Sequence, residues 1–174
     1  MPVQLHLIGM TDDFKLYHTI RDGAGSWAPF GDVIAQTLGI DPAKTQDVAC
    51  AVDPEGNLHV VLVASDGQLL HTLRRKNSHP DPGWEDMGNI RTAQGDQLQQ
   101  GKFTAVAATT QGSSLHVVAA KDDQKLYYTR RVVTATGAKW DPALTAFAPA
   151  DPAPPHSPLA SRRFKLLSAT FVKT

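Results

Sequence analysis

The sequence predicts an all-β protein assembled from three copies of one repeat. A leucine–histidine pair recurs at Leu5, Leu58 and Leu115, at spacings of 53 and 57 residues. After each pair the chain keeps one order: an acidic turn, a second leucine, a threonine–arginine segment and a tryptophan. Short runs rich in β-branched residues, separated by turn residues, are typical of strands. No segment has helical periodicity over about ten or more residues.

Each copy predicts four short strands. The acidic turns contain Asp13, Asp66 and Asp123, and the second leucines are Leu16, Leu69 and Leu126. The segment Ser65-Asp66-Gly67-Gln68 favours a type I′ hairpin turn, because Asp-Gly tolerates positive φ angles. The equivalent turns at Asp13-Phe14 and Asp123-Gln124 are expected to be looser. The first two copies end in Gly-Asp-Val and Gly-Asn-Ile, whereas the third loses this ending at Ala143-Leu144.

The 174 residues predict a single domain, since this length can bury one core. Its repeats span about 3–45, 46–102 and 103–150, and polar linkers at 35–46 and 91–102 join them. A proline-rich loop at 148–163 precedes one last apolar segment at 164–174. Four-stranded repeats of this length favour the blades of a β-propeller.

Three blades are too few for a ring, because propellers have about four to eight. We therefore expect a homodimer that closes a six-bladed ring, in which residues 164–174 of each chain complete the first blade of the partner. The alternative is that the chain is a fragment of a longer protein.

Composition excludes several classes of function. Basic and acidic residues number 17 each, so the formal net charge is zero, which argues against nucleic-acid binding and polybasic membrane attachment. No apolar run reaches the roughly 18 residues that a membrane helix needs.

The only cysteine, Cys50, lies among apolar residues and is predicted to be buried. We find no signal peptide, so the localisation stays open between cytoplasmic and released without a visible signal.

The repeated pattern of Leu-His-Val, an Asp-Gly turn, His-Thr-x-Arg, a tryptophan and Gly-Asp resembles the repeats of tectonin-like and PLL-type bacterial propeller lectins. It is also similar to repeats described as fucose-lectin-like. The resemblance covers nearly the whole chain outside the proline-rich segment. It implies sugar sites between or on the blades, formed by aromatic and polar residues that recur around the ring. The third copy departs from this pattern, because Tyr128 replaces the histidine.

Three sets of repeated residues are the candidate ligand contacts: Trp27, Trp84 and Trp140; Arg21, Arg74 and Arg131; Thr19, Thr72 and Thr129. An indole can stack on the apolar face of a pyranose, or it can pack between blades. A guanidinium can bind sugar hydroxyls or a carboxylate, or it can form a salt bridge between blades with an acid such as Asp32. Each threonine precedes its arginine by two residues, so the two share a strand face. His18 and His71 then lie on the opposite face, where they are expected to bond backbone groups between blades.

Metal and catalytic sites are not predicted. A ring formed by His6, His59 and His116 would have to converge to about 2 Å from one ion, which residues on different blades rarely do. The only glutamates are Glu55 and Glu85, and a glycosidase needs a paired acid and base or nucleophile. Ser65-x-Gly67 only loosely approaches the Asp-box motif of sialidases.

The sequence therefore predicts a carbohydrate-binding protein with repeated, multivalent sites, which is not an enzyme and needs no cofactor. Its expected partners are glycans or glycoconjugates and a second copy of itself, with no nucleic acid and no membrane insertion. A protein-interaction scaffold without sugar binding is the alternative, and a sialidase-like glycosidase is less favoured.

Overall fold

The protein folds as three antiparallel sheets, one for each repeat. A computed structural model describes residues 4–76, 83–93, 101–123, 125–134, 137–141 and 145–147. The first sheet contains β1 (Leu5–Met10), β2 (Leu16–Arg21) and β3 (Gly31–Asp32). The second contains β4 (Thr45–Val52), β5 (Leu58–Ala64), β6 (Leu69–Arg74) and β7 (Gly88–Asn89). The third contains β8 (Phe103–Gln111), β9 (Ser114–Lys121), β10 (Leu126–Thr134), β11 (Gly137–Trp140) and β12 (Thr145–Phe147). The prediction of an all-β chain is confirmed.

Strands that follow one another in sequence pair in an antiparallel meander within each sheet, except that β12 pairs with β10. The predicted four strands are confirmed for the second repeat. In the first repeat, the described residues give β1 one ladder partner, which is β2. The strand expected on the other edge of β1, from residues 164–174, lies outside the described residues.

The outer strand of the third sheet has two segments, because β11 pairs with Arg131–Thr134 and β12 with Leu126–Tyr128. Tyr128 stands opposite Thr145, just as His18 stands opposite Gly31 and His71 opposite Gly88. The third repeat thus keeps the fourth strand although its sequence lacks the Gly-Asp ending. The ladder hydrogen bonds join backbone groups, so the strand can pair without the Gly-Asp side chains.

Two single-turn helices follow the short outer strands, α1 (Val33–Gln36) after β3 and α2 (Ile90–Ala93) after β7. The Asp32 side chain accepts a hydrogen bond from the Ala35 N–H at 3.1 Å, and the Asn89 side chain accepts one from the Arg91 N–H at 2.9 Å. The repeated Gly-Asp and Gly-Asn endings are therefore strand ends that cap a helix. The predicted linker loops are partly wrong, because residues 35–36 belong to α1, 45–46 to β4 and 91–93 to α2.

The β5–β6 turn corrects the prediction of a type I′ hairpin. Gly67 has a φ of +86° and is the only residue of its turn with a positive φ, whereas type I′ needs two. The Gly67 N–H donates to the Ala64 carbonyl at 2.8 Å. The β1–β2 turn repeats this geometry, with Phe14 at a φ of 65° and its N–H 2.8 Å from the Thr11 carbonyl. The first turn is therefore not looser than the second.

The three sheets stack face to face, with the second sheet in the middle. Every residue of β5 is buried because both faces of this strand are covered. Alternate residues of a strand point to opposite faces. Leu58, Val60 and Leu62 accordingly join the apolar cluster shared with the first sheet, and Val61 and Val63 join the cluster shared with the third.

Cys50 is exposed, so the prediction of a buried cysteine is wrong. Its neighbours Ala49 and Ala51 pack against the cluster between the second and third sheets. Cys50 alternates with them and faces the other way. Cys50 would be buried only if another segment packed on its side of β4. Apolar neighbours in the sequence do not indicate whether such a segment is present.

No helix within the described ranges is both long and apolar enough to cross a membrane.

Candidate functional site

Arginine and tryptophan stand opposite each other in all three repeats. The pairs are Arg21 with Trp27, Arg74 with Trp84, and Arg131 with Trp140. On the other side of each arginine stands the leucine of the repeat, Leu5, Leu58 or Leu115. Residues directly opposite on antiparallel strands share a face. Each sheet therefore carries a Leu–Arg–Trp row, and we call the face with this row the Trp face.

The opposite face of each sheet carries a pair of polar rings, and we call it the His face. His6 Nδ1 lies 3.0 Å from His18 Nε2, and His59 Nδ1 lies 3.1 Å from His71 Nε2. In the third sheet, His116 Nδ1 lies 2.7 Å from the Tyr128 hydroxyl. His18 and His71 therefore each bond a histidine of their own repeat, which is a different contact from the bonds to backbone groups between repeats that the sequence predicted.

The Trp face of one sheet packs on the His face of the preceding sheet. The Trp84 indole meets the His18 ring edge to face, with centroids 5.6 Å apart, and Trp140 meets His71 at 5.3 Å. Packing between repeats, one of the two roles considered for the tryptophans, is thus observed for Trp84 and Trp140. Both indoles remain partly exposed, whereas Trp27 is 50% exposed.

The three candidate threonines are buried. The Thr19 hydroxyl donates to the Ala28 carbonyl and the Thr72 hydroxyl donates to the Glu85 carbonyl, each at 2.6 Å. These carbonyls belong to the residues that follow Trp27 and Trp84. The two hydroxyls thus hold the segments that contain the tryptophans against the sheets, and each hydroxyl proton is used in a hydrogen bond to a backbone carbonyl. The structure therefore gives the hydroxyls of Thr19 and Thr72 a role in the fold, and Thr19 also lines the cleft between the first and second sheets.

The junction between the second and third sheets contains a salt bridge. The Arg131 guanidinium, whose side chain is 11% exposed, lies 3.5 Å from the Glu85 carboxylate, and Arg75 pairs with the same carboxylate. Burial lowers the pKa of Arg131, while Glu85 acts in the opposite direction. The salt bridge expected as an alternative role for the arginines is thus present, with Glu85 as the acid. Asp32 instead caps α1.

The junction between the first and second sheets contains an open cleft of about 420 Å³. Arg74 of the second sheet lines one side of this cleft. The other lining residues belong to the first repeat and include His18, Ala28, Pro29, Gly31 and Gln36. Trp84 adjoins the cleft, because its Nε1–H donates to the Gln36 side-chain oxygen at 3.2 Å. The cleft is therefore built by two repeats, and neither repeat supplies it alone.

One sequence difference distinguishes these two junctions. The residue after the tryptophan is Ala28 in the first repeat and Glu85 in the second. Glu85 reaches the arginine of the next sheet, whereas the small Ala28 side chain lines the cleft. Sequence reasoning missed Ala28 and Gln36. The available signal was that the position after the tryptophan varies, as alanine, glutamate and then Asp141, among residues that repeat.

The histidines at the junctions are neutral near pH 7. Burial is the main cause that lowers the pKa of His18 to about 4, and His6 and Arg74 lower it further. Burial and Arg131 lower the pKa of His59 to about 4, against the opposing effect of Asp53 at 3.6 Å. Burial also lowers the pKa of His71 well below its usual value. A neutral imidazole offers one donor and one acceptor, so His18 presents a polar, uncharged ring to the cleft.

The described part of the chain contains no group of three or more histidine, cysteine or acidic side chains placed to hold a metal ion. His6, His59 and His116 each bond a ring of their own sheet. The Glu55 carboxylate accepts a hydrogen bond from the Ser113 hydroxyl at 3.0 Å. Both glutamates therefore join the second sheet to the third.

Comparison of the sequence with models of known protein families and with curated proteins finds no match.

Proposed function

We propose that the protein binds carbohydrate, and that its principal site is the cleft between the first and second sheets. A sugar needs donors and acceptors for its hydroxyls and an apolar surface for its C–H groups. Arg74, Gln36 and the neutral His18 offer the polar groups, and Pro29 and the adjoining Trp84 offer apolar surface. The observation that carries the proposal is the convergence of these groups from two repeats on one open cleft.

The proposal ranks the candidate residues. Arg74 and Trp84 are the favoured ligand contacts, because they border the cleft. Arg131 is held by Glu85 at the next junction and is less favoured, together with Trp140. One principal site per chain is thus proposed, since the cleft that Arg131 lines at the next junction is smaller, at about 290 Å³. Multivalency arises when several chains act together. Binding through two linked sites raises avidity by about 10²–10⁴ without new contacts.

We further propose that the three sheets are blades of a propeller and that two chains close a six-bladed ring. The antiparallel meander of each sheet and the face-to-face stacking of the three sheets support this arrangement. In this ring, residues 164–174 of one chain complete the first blade of the other, and the third junction forms between the two chains.

A glycan array probed with the labelled protein at high micromolar concentration tests sugar binding. Selective binding to one sugar family, competed by the free monosaccharide, is the expected result. Ala28→Glu then tests the site, because a larger side chain in the cleft should lower the affinity at least tenfold. Ala24→Glu, which adds the same charge on an exposed turn of the same repeat, is the matched control and should bind normally.

A blank array from a folded protein would contradict the proposal. It would favour a protein-interaction scaffold, for which the first repeat offers exposed apolar side chains at Phe30 (59%) and Leu38 (75%). Normal binding by Ala28→Glu would contradict the location of the site and leave sugar binding intact.

A further inference from the structure

We propose that the Trp face of the first sheet is a docking surface for the His face of the third sheet of a second copy. This inference rests on the proposed ring and names the residues that join its two chains. The Trp faces of the second and third sheets are covered by the sheet that precedes each of them. The Trp face of the first sheet and the His face of the third are the two outer faces of the stack.

The first argument is exposed apolar surface on the Trp face of the first sheet. Leu5 is 56% exposed, Leu7 is 44% exposed and Trp27 is 50% exposed. The equivalent residues of the second sheet, Leu58 and Val60, are fully buried against the first sheet. The same row of side chains is therefore a buried contact where a preceding sheet covers it and an exposed patch where none does. Such a patch marks an interaction surface.

The second argument is the pattern of aromatic contacts. Trp84 packs edge to face on His18, and Trp140 packs in the same way on His71. Tyr128 occupies the equivalent position of the third sheet and is partly exposed. A phenol ring can accept an edge-to-face contact as an imidazole does. Trp27 of one copy therefore fits Tyr128 of the other.

The third argument is charge complementarity. Glu85 follows Trp84 and bridges Arg75 of its own repeat and Arg131 of the next. Asp141 follows Trp140 in the same way, and its side chain is 32% exposed and lies 3.4 Å from Arg130 of its own repeat. The arginine that would come next in a head-to-tail arrangement is the exposed Arg21 of a second copy. The new junction would thus reproduce the salt bridge between the second and third sheets.

The occupant is a second copy because the two complementary faces point away from the middle sheet in opposite directions. They cannot meet within one chain in this arrangement. Head-to-tail contacts of this kind generate a ring when the rotation closes. Two copies would form two such junctions, and each junction would combine Arg21 and Trp27 of one chain with Tyr128 and Asp141 of the other.

Light scattering on a gel-filtration peak tests the proposal. The particle in solution should have twice the mass of one chain, which is 18.8 kDa. Leu7→Asp and Trp27→Ser should each raise the dimer dissociation constant at least tenfold. Leu38→Asp is the matched control, because Leu38 is exposed but its carbonyl accepts a hydrogen bond from the Met87 N–H, beside the second sheet. This control should remain a dimer.

Charge reversal gives a second measurement. Arg21→Asp and Asp141→Arg should each weaken the dimer, and the double variant should recover at least part of the loss. Circular dichroism spectra show whether each variant folds. If Leu7→Asp does not fold, the Trp27→Ser variant and the two charge-reversal variants test the proposal.

Three results would overturn the inference: a monomeric mass, a mass of three or more chains, or a dimer that none of the variants on this face weakens. A blank glycan array with an intact, variant-sensitive dimer would contradict sugar binding and leave this interface standing.

Discussion

The imidazole of His71 and the indole of Trp140 meet edge to face, with centroids 5.3 Å apart and planes at 84°, although they belong to different repeats. The same contact joins His18 to Trp84 one junction earlier. His18 of the first repeat and His71 of the second each have an aromatic partner in the next repeat, and these contacts fix the order in which the sheets stack. A functional site at a junction then contains residues about 50 to 70 positions apart in the chain.

We predict that acid destabilises the fold between about pH 6.5 and pH 4. The folded pKa of His18 and of His59 is about 4, below the value of 6.5 expected in the unfolded chain. In this window the unfolded chain binds protons that the folded chain does not, so the free energy of unfolding falls as the pH falls. The stabilisation is fully present above pH 6.5 and amounts to roughly 3 kcal/mol at most for each histidine.

Urea unfolding at pH 7 and pH 4.5 measures this effect. His71→Tyr is a suitable comparison, because tyrosine occupies the equivalent position in the third repeat and bonds His116 there. The variant should depend less on pH than the natural sequence. A free energy of unfolding that is constant over this range would contradict the prediction.

We predict different effects of tryptophan replacement at the two junctions. Trp84→Phe keeps an aromatic ring beside His18 but removes the N–H that donates to Gln36. It should lower sugar affinity about tenfold, which corresponds to about 1.4 kcal/mol. Trp140→Phe, the matched control at the junction with the Glu85 salt bridge, should bind sugar normally. Titration calorimetry with the sugar found on the array measures both, and equal losses would contradict the choice of cleft.

We predict that Thr72→Val lowers the free energy of unfolding by about 1–3 kcal/mol without changing the sheet, because it leaves the Glu85 carbonyl without its buried donor. Valine keeps the shape of threonine, so the loss reports on the hydrogen bond. Thr92→Val, at an exposed position, serves as the control and should change stability by less than about 0.5 kcal/mol. Chemical denaturation of both variants tests the prediction, and equal stabilities would contradict it.

We predict that Gly67→Ala is more costly than Gly112→Ala. Both glycines have positive φ angles, +86° and +54°, so alanine loses about 1 kcal/mol or more at either position. At Gly67 the new Cβ would also clash with the Cβ of Lys102, whereas at Gly112 no atom outside the glycine and its two chain neighbours lies within 4 Å. The melting temperature should therefore fall further for Gly67→Ala. A larger fall for Gly112→Ala would contradict the reported packing of the β5–β6 turn.

The sequence alone could predict whatever depends on spacing within one repeat. The Leu58–Arg74–Trp84 row follows from a regular repeat, since cross-strand neighbours are set by hairpin register. The opposite faces of Thr72 and His71 follow from the two-residue period of a strand. The number and order of strands in the second repeat could be predicted for the same reason.

Contacts between repeats could not be predicted in this way. Nothing in the spacing of His18 and Trp84 indicates that they touch, because their contact depends on how the sheets stack. The exposure of Cys50 depends on which element covers β4, and the neighbouring residues do not specify it. Phe14 adopts a positive φ, as Gly67 does in the equivalent turn, although residues with a Cβ disfavour this conformation. The local sequence therefore does not predict this turn, which follows the geometry of the repeat.

Each sheet has two dissimilar faces, and the Trp faces of the second and third sheets pack on the His face of the sheet before each of them. A chain that gained or lost one whole repeat would still end in a Trp face at one side and a His face at the other. The number of repeats per chain could therefore change by duplication or deletion while every junction still joined a Trp face to a His face. Differences in function between such chains would then arise at single positions, such as the residue after each tryptophan, which decides whether a carboxylate reaches the arginine of the next sheet.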